Sequence, residues 1–373
     1  MATIEIKTLT PVHVGSGRFL QSKTEYVFGP TKIGVIDEHK ILGLIGEEKV
    51  QSWVASIEKG ENLVTFLSGY GIKPSLPKIS ERTIALSCEK EDAKKLSSLK
   101  EQIHNGKGLP YLPGSSIKGA IRSAVLNQFM RKQQTPVTSE EIERHGKVSA
   151  SNLEKSIFGR DPNHDVFRFL RVGDAYFAEN DTVAFVMENI NLKERRGEKF
   201  ADKDSSKSQL VEAIAAGSSS NFKLKFDNTG IEINSNRGEI TNFPECFSSV
   251  KKLFELINQN TGDILKEEIE FWENYRDDDS AAVYIEKLQE LLNETQQCNS
   301  EECIMRMAHG SGWTFITGGW AKSNTLVDDL LYDKIVNTSR PGNFKNYSHF
   351  PFPKSRRISS AIELPGFIKL RIE

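Results

Sequence analysis

The sequence is poor in cysteine and in long apolar runs, and neither sign of charge predominates. Four widely spaced cysteines among 373 residues exclude a disulfide framework and favour a reducing compartment. No segment approaches the roughly 20 apolar residues that span a bilayer, and the first residues lack the pattern of a secretion signal. With 49 Lys and Arg against 51 Asp and Glu, the net charge of −2 excludes an overall basic field and leaves only local basic patches for nucleic acid. We therefore expect a cytoplasmic protein with no membrane partner.

Length and element pattern predict two α+β domains. At roughly 150 residues per domain, a chain of 373 residues is expected to form two. Strand and helix patterns are mixed in both halves without the regular alternation of a doubly wound sheet, so antiparallel sheets are expected. The polar, turn-rich segment 133–165 indicates an inter-domain or inserted region. We place one domain at 1–160 and a second, with a helical insertion, at 161–373.

Apolar alternation predicts strands, and helical spacing of apolar residues predicts helices. The expected strands are 3–9, Tyr26–Phe28, Lys32–Ile36, Arg82–Ser87, Phe167–Val172, Ala175–Phe177, Thr182–Ile190, Asn221–Phe226 and 364–372. The expected helices are Gly46–Ile57, Glu89–His104, one that follows Gly114, Phe243–Asn258 and Ile264–Leu292.

The segment that begins at Gly114 has the pattern of a helix start with a positive face. Ser115 or Ser116 can cap the helix, and its free backbone N–H groups then attract an anion. Lys118 and Arg122 are four residues apart, so they share one face and extend the positive potential. These residues predict a phosphate site. On spacing alone, a capped helix with solvated Lys and Arg is the slightly favoured interpretation.

Two glycine-bearing segments are further candidates for close approach to a nucleic acid. Gly15, Ser16, Gly17 and Arg18 follow a predicted strand, where small residues let a ligand backbone approach; a flexible strand-end turn is the alternative. The segment 309–320 interleaves glycines with aromatics, a composition that suits single-stranded nucleic acid, although a hairpin with its aromatics in the core also fits. Its glycines are Gly310, Gly312, Gly318 and Gly319, and Trp313, Phe315 and Trp320 lie between or beside them.

Nucleotide and metal motifs are incomplete. The loops at Gly15 and Gly114 lack the glycine and lysine spacing of nucleotide-binding fingerprints. Cys298 and Cys303 with His309 supply only three ligands without the paired short spacing of zinc sites. Asp161 lies among residues that are typical of loops. We therefore expect no cofactor and no metal.

The order of these motifs resembles that of the CRISPR-associated RAMP superfamily. The opening Thr-Pro-Val-His-Val-Gly-Ser-Gly of residues 10–17 resembles the start of these proteins, and so does Leu-Pro-Gly-Ser-Ser-Ile-Lys-Gly-Ala-Ile-Arg at 112–122. The glycine loop at 309–319 and Leu-Pro-Gly-Phe at 364–367 resemble their C-terminal elements. Within the superfamily, the chain is most similar to the family of fifth Csm subunits of type III-A effector complexes.

The resemblance implies two ferredoxin-like (RRM-like) domains and a non-catalytic subunit that binds the 3′ region of CRISPR RNA, caps the backbone filament and supports RNA maturation. The implied partners are CRISPR RNA, the other Csm subunits, especially the adjacent backbone RAMP subunit, target RNA and host nucleases. The implied RNA contacts are Gly15, Ser16, Gly17, Arg18, Gly114, Ser115, Ser116, Lys118, Arg122, Gly310, Gly312 and Trp313.

Two catalytic alternatives stay open at this point. One is a RAMP endoribonuclease that processes precursor CRISPR RNA, with His13 beside the glycine turn as acid or base. The other is a backbone-type RAMP subunit that cuts target RNA through a metal and a loop aspartate, for which Asp37 and Asp161 are candidates.

Overall fold

The computed structural model describes residues 1–133, 136–144, 147–148, 151–238, 243–316, 318–322, 327–339 and 350–373. Its strands are β1 Ala2–Thr8, β2 Gly15–Gln21, β3 Tyr26–Phe28, β4 Lys32–Ile36, β5 Ser80–Leu86, β6 Ser98–Gln102, β7 Tyr111–Leu112, β8 Glu143–Arg144, β9 Lys147–Val148, β10 Leu170–Val172, β11 Ala175–Tyr176, β12 Thr182–Arg195, β13 Glu198–Ile214, β14 Ser219–Phe226, β15 Glu302–Arg306, β16 Ser355–Ser359 and β17 Phe367–Ile372.

The α-helices are α1 Glu38–Ile45, α2 Val50–Glu58, α3 Leu63–Gly69, α4 Leu76–Ile79, α5 Lys90–Lys94, α6 Gly114–Lys132, α7 Ser139–Ile142, α8 Ser151–Phe158, α9 Asn228–Asn236, α10 Val250–Glu273, α11 Asp279–Gln297, α12 Gly312–Phe315, α13 Gly319–Lys322 and α14 Asp329–Ser339. Short 3-10 turns lie at Glu47–Lys49, Val166–Phe169 and Glu245–Ser248. Across the described ranges, every helix is too short or too polar to cross a membrane.

One sheet has five strands in the order β10-β14-β1-β17-β15, and all of its pairings are antiparallel. Strand β1 lies at its centre, which explains the alternation of its sequence: Ile4 and Ile6 are fully buried, whereas Thr3 and Glu5 are only partly covered. The neighbours of β1 are β14 and the C-terminal β17, so the two ends of the chain meet in this sheet.

The larger sheet has eight strands in the order β2-β6-β13-β12-β5-β4-β3, with β16 paired beside β12. Its centre is the long antiparallel hairpin of β12 and β13, which have 14 and 17 residues. The pairs β5–β12 and β6–β13 are parallel, and the other pairs are antiparallel. The sheet therefore carries β2, which begins with the first glycine motif, along one edge.

Two apolar cores fix these sheets to the long helices. The first joins α6 and α10 to the five-stranded sheet through residues such as Ile117, Phe254 and Leu370. The second joins α10 and α11 to β12, β15 and β16 through residues such as Trp272 and Ile358. Because α10 contributes to both cores, it couples the two sheets.

The predicted class is confirmed at the coarse level, since helices and largely antiparallel sheets are mixed along the chain. Each large sheet takes strands from both sides of residue 160, so the sheets do not follow the division into 1–160 and 161–373, which stays a prediction. Within 133–165, Leu153 and Phe158 of α8 are buried in the first core together with Ile117. This segment therefore contributes to the fold where it is described.

Several predicted elements differ from the structure. The helix expected at Glu89–His104 is wrong beyond α5: the chain turns into β6, where Leu99 is fully buried between neighbouring strands. Two long helices are present as expected, but the break between them falls at 274–278 and not near residue 260, because α10 continues to Glu273 and α11 begins at Asp279. In α6, Phe129 is 47% exposed, although its spacing from the buried Val125 is that of one helix face.

Candidate nucleic-acid interface

Three glycine-bearing segments that are distant in sequence meet at one place. The His309 N–H donates to the His13 carbonyl at 3.0 Å, and the Gly366 N–H donates to the Pro11 carbonyl at 2.9 Å. The Met307 N–H donates in turn to the Gly366 carbonyl at 2.8 Å. We call residues 11–17, 307–312 and 364–367 the glycine junction. The structure thus brings together the first glycine motif and both C-terminal motifs.

The first motif lies at an exposed edge of the junction. Gly15, Ser16, Gly17 and Arg18 are all exposed, and Gly17 has a φ of +92°, which disfavours a side chain. No atom lies within 4 Å of the position that a Cβ at Gly17 would occupy, so the space above it is open. The Ser16 hydroxyl donates to Glu101 at 2.8 Å and accepts from the Arg18 N–H at 3.0 Å, which fixes the turn.

A half-buried ion-pair network supports this turn from below. Arg82 donates to Glu212 at 3.2 and 3.1 Å and to Glu101 at 3.0 Å. Burial raises the pKa of Glu101, but hydrogen bonds from Ser16 and Arg82 outweigh it and hold the pKa below the usual value. Sequence reasoning missed this network because its members come from three separate strands. Only Arg82 lies in a predicted strand, because Glu101 lies in the segment predicted as a helix and Glu212 lies outside every predicted element.

His13 is buried rather than presented to a ligand. Its side chain is 3% exposed, and its Nδ1–H donates to the Glu212 carbonyl at 2.6 Å. Burial lowers the pKa of His13 to about 4, with smaller contributions from His309 and Lys100. The imidazole is therefore neutral near pH 7, which argues against His13 as a proton donor to RNA.

The residues of the 309–320 segment have different surroundings. Gly310 has a φ of +92° and packs tightly, since a Cβ there would lie 3.0 Å from Pro365. Gly312 is exposed with open space around it. The half-buried Trp313 packs edge-on against Phe352, with ring centroids 5.0 Å apart. The segment forms the short helices α12 and α13 instead of a hairpin, and its tryptophan packs against the protein as the alternative interpretation expected.

The start of α6 differs from the predicted cap. Pro113 is the N-cap residue and no side chain caps the helix, so the prediction that Ser115 or Ser116 caps it is wrong. The helix begins earlier, at Gly114, whose N–H donates to Asp174 Oδ1 at 2.7 Å. A Cβ at Gly114 would lie 2.2 Å from the Val172 carbonyl oxygen. Gly114 is thus required by the packing of its own chain, and its part in RNA binding stays a prediction.

Lys118 and Arg122 lie together, but Arg122 is engaged by the protein. Its guanidinium donates to Glu154 at 3.0 Å and to both oxygens of Asp165 at 3.1 and 2.8 Å. It also stacks over Phe158 and Phe167, at 4.3 and 5.1 Å from their ring centroids. The carboxylates of Glu154 and Asp165 therefore neutralise the guanidinium of Arg122, which the sequence pattern predicted to bind a phosphate.

An open cleft of about 630 Å³ adjoins the first turns of α6. We call it the basic cleft, because five cations line it against three acids. The cations are Lys118, Lys155, Arg122, Arg160 and Arg168, and the acids are Glu154, Asp161 and Asp165. Burial lowers the pKa of Lys118; Asp165 opposes this shift and Arg122 adds to it. Exposed Ser115 also lines the cleft, and half-buried Ser116 follows it in the helix. None of the lining residues belongs to the glycine junction, so the predicted contacts fall into two places.

The residues weighed as metal ligands or loop aspartates have structural partners. Asp37 accepts from two N–H groups at the start of α1, and Asp161 accepts a hydrogen bond from His164 Nδ1 at 2.8 Å. Cys303 is fully buried on β15, and burial raises the pKa of Cys298 to about 11. Among the residues that the structure describes, no three His, Cys, Asp or Glu side chains are grouped so that they can hold a metal ion.

Comparison with known proteins agrees with this arrangement of motifs. The model of the RAMP superfamily matches residues 5–314. The chain belongs to the RAMP superfamily. It is also similar to two CRISPR system Cms proteins Csm5. That of Streptococcus thermophilus is 25% identical over 198 residues, covering 49% of this chain and 54% of the relative. That of Methanocaldococcus jannaschii is 23% identical over 185 residues, covering 48% and 44%. The chain thus spans about half the length of the curated relatives that it matches.

Two solved structures share the fold over nearly the whole chain. One is a chain of the cryo-EM structure of a Csm-crRNA-target RNA ternary complex of a type III-A CRISPR-Cas system, with a TM-score of 0.68, 18% identity and full coverage of both chains. The other is the crystal structure of T. onnurineus Csm5, with a TM-score of 0.63, 19% identity and coverage of 98% and 99%. At these identities the likeness concerns the fold alone.

Proposed function

We propose that this RAMP protein is a non-catalytic RNA-binding subunit of a type III-A CRISPR (Csm) interference complex in the cytoplasm. It binds the 3′ region of the CRISPR RNA, caps the filament of backbone RAMP subunits and supports RNA maturation. Its partners are the CRISPR RNA, the adjacent backbone subunit and the other Csm subunits, with target RNA and host nucleases as further partners. The two ferredoxin-like domains of the family are part of this proposal.

The observation that carries the proposal is the glycine junction. Gly15 and Gly310 are far apart in sequence, yet main-chain hydrogen bonds hold their segments together at an exposed edge of the larger sheet. Open space above Gly17 and Gly312 permits a sugar–phosphate backbone to approach the main chain. Membership of the superfamily and similarity to Csm5 proteins support the choice of RNA and of the complex.

The electrostatics also favour a binding subunit that shares its RNA. The chain carries a net charge of −2, so its affinity for RNA depends on local patches such as the basic cleft. A subunit with few contacts gains affinity when neighbours hold the same strand, because the second binding event is then intramolecular. The burial of His13 and the structural roles of Asp37 and Asp161 weigh against both catalytic alternatives.

The proposal is tested by expressing the tagged full chain with its neighbouring subunits and a CRISPR array. The Lys155→Ala/Arg168→Ala variant removes two exposed cations of the basic cleft. The Lys94→Ala/Lys95→Ala variant is the matched control, since it removes the same charge from an exposed helix at which both lysines pair with local acids. We expect the cleft variant to retain less CRISPR RNA, or RNA with altered 3′ ends, and the control to match the wild type.

Sequencing of the co-purified RNA measures its amount and its ends. A wild-type chain that purifies without CRISPR RNA and without other subunits contradicts the proposal. RNA cleavage by the isolated chain that is lost in His13→Ala favours the endoribonuclease instead.

A further inference from the structure

A group of cations without acidic partners lies on the larger sheet beside the glycine junction. Lys100 projects from β6, and its Nζ lies 3.2 Å from His309 Nε2. The Oε1 atom of Gln209, on β13, also lies 3.2 Å from His309 Nε2. Arg357 of β16 donates to the carbonyl of the exposed Lys207 at 3.0 Å. Two cations from separate strands of the sheet, Lys100 and Arg357, therefore lie near His309.

The electrostatic environment identifies these cations as a cluster. Burial lowers the pKa of Lys100, and the charge of Arg357 lowers it further. The pKa of His309 falls to about 4 through burial and then through both cations, so its imidazole is neutral near pH 7. Burial also lowers the pKa of Arg357. Neighbouring cations of this kind are stabilised by a bound anion.

Carboxylates neutralise three other arginines that the fold covers. Arg82 pairs with Glu212, Arg122 with Asp165 and Arg356 with Glu268. Within the described ranges, neither Lys100 nor Arg357 has a carboxylate within ion-pair distance. A half-buried cation that lacks an internal counterion loses solvation without compensation. This environment suits a ligand that brings negative charge.

An exposed aromatic ring adjoins the cluster and narrows the class of ligand. Phe19 of β2 pairs in register with Lys100 and is 53% exposed. The Lys100 Nζ lies 5.5 Å from its ring centroid. Phe19 follows the Gly15–Arg18 turn directly, so the strand that carries the glycine motif also carries the ring. Exposed aromatics beside cations are typical of sites for single-stranded nucleic acid, where bases stack and phosphates pair.

We propose that Phe19, Lys100 and Arg357 form a binding site for single-stranded RNA, with a phosphate between the two cations and a base stacked on the phenylalanine ring. We call this group the sheet-face site. It rests on the proposed function and adds a contact surface to it. The RNA strand then passes from the sheet-face site along the glycine junction, because His309 contacts both Lys100 and the His13 backbone.

The test measures the affinity of the purified full chain for a fluorescent oligouridine RNA by anisotropy across a series of salt concentrations. Lys100→Ala/Arg357→Ala is expected to weaken binding and to reduce the log–log salt slope by about 0.7, the value for one phosphate of a single strand. Phe19→Ala is expected to weaken binding about tenfold with an unchanged salt slope, since stacking carries no charge. Lys94→Ala/Lys95→Ala is the control of equal charge.

Each result has a defined meaning. Wild-type affinity and slope in Lys100→Ala/Arg357→Ala overturn the sheet-face site. If Lys155→Ala/Arg168→Ala loses binding in the same experiment, the proposed function stands without it. A wild-type chain that does not bind the RNA overturns both. Circular dichroism of each variant verifies folding, and Phe19→Ala supplies a second variant at an exposed position that the core does not use.

Discussion

Replacing Arg122 is expected to destabilise the fold rather than only to weaken RNA binding. The guanidinium joins α6 to two acids from other segments, Glu154 and Asp165. Asp165 also accepts from the Phe167 N–H, so the same carboxylate begins the 3-10 turn at Val166–Phe169. Arg122→Ala therefore removes the tie between this turn, α8 and α6. Lys118, one turn earlier, has no comparable ion pair among the described residues.

The expected loss follows from the exposure of the groups. The side chains of Arg122, Glu154 and Asp165 are 25%, 36% and 23% exposed, so each ion pair contributes on the order of 1 kcal/mol. Stacking on the buried ring of Phe158 adds about 1 kcal/mol. The sum of about 3 kcal/mol corresponds to a decrease in Tm of roughly 5 °C, because a long chain has a large unfolding entropy.

Thermal unfolding of Lys118→Ala, Arg122→Ala and Arg122→Lys measures this loss. We expect Lys118→Ala to keep the wild-type Tm and to weaken RNA binding. Arg122→Ala is expected to lower Tm, and Arg122→Lys to recover only part of the loss because Lys lacks the planar fork. An unchanged Tm in Arg122→Ala, combined with weaker RNA binding, refutes the reasoning and returns Arg122 to the set of RNA contacts.

Three further predictions concern buried charge, pH and glycine packing. Glu268→Ala leaves the buried Arg356 unpaired and is expected to cost about 3–5 kcal/mol by denaturant titration, whereas Glu268→Leu/Arg356→Met recovers most of it. The folded-state pKa of His13 is about 4, so the contribution of His13 to the free energy of unfolding is fully present above pH 6.5 and falls by up to about 3 kcal/mol towards pH 4. His13→Asn is expected to remove this part of the decline. Gly114→Ala is expected to lower the free energy of unfolding by about 2 kcal/mol, because the new Cβ clashes with the Val172 carbonyl. Gly119→Ala is the control: the space around Gly119 is open, so this change is expected to raise the free energy of unfolding by about 0.5 kcal/mol. Equal effects of the two changes contradict the packing argument.

Local signals in the sequence predicted the elements that depend on local physics. Alternation identified β1, and β3 and β4, which Gly29 and Pro30 separate, have the bounds that the sequence predicted. The helix at Gly114 was also found, because its apolar stripe and its glycine are both local features. The charged segment Glu89–His104 failed for the opposite reason. Its second half is a strand only because β2 and β13 pair with it.

The candidate site was only partly predictable, because its electrostatics depend on partners that are distant in sequence. Glu154 and Asp165, which neutralise Arg122, are 32 and 43 positions away. Lys100 and Arg357 lie on β6 and β16 of the larger sheet, far apart in sequence, and neither belongs to a recognisable motif. The motifs indicated where the main chain turns sharply. They did not indicate which cations are left without an acid.

Whether each cation has an acidic partner decides how a nearly neutral chain can bind a polyanion. Three arginines that the fold covers, Arg82, Arg122 and Arg356, have their charge compensated by carboxylates, so these cations add little attraction for phosphate. Attraction comes instead from cations whose neighbours are also positive, such as Lys100 beside Arg357. An uncompensated pair of this kind contributes to binding at any net charge, because a bound phosphate relieves repulsion that the fold itself maintains. For a RAMP protein with balanced charge, the pairing of each cation therefore locates the RNA path better than overall charge does.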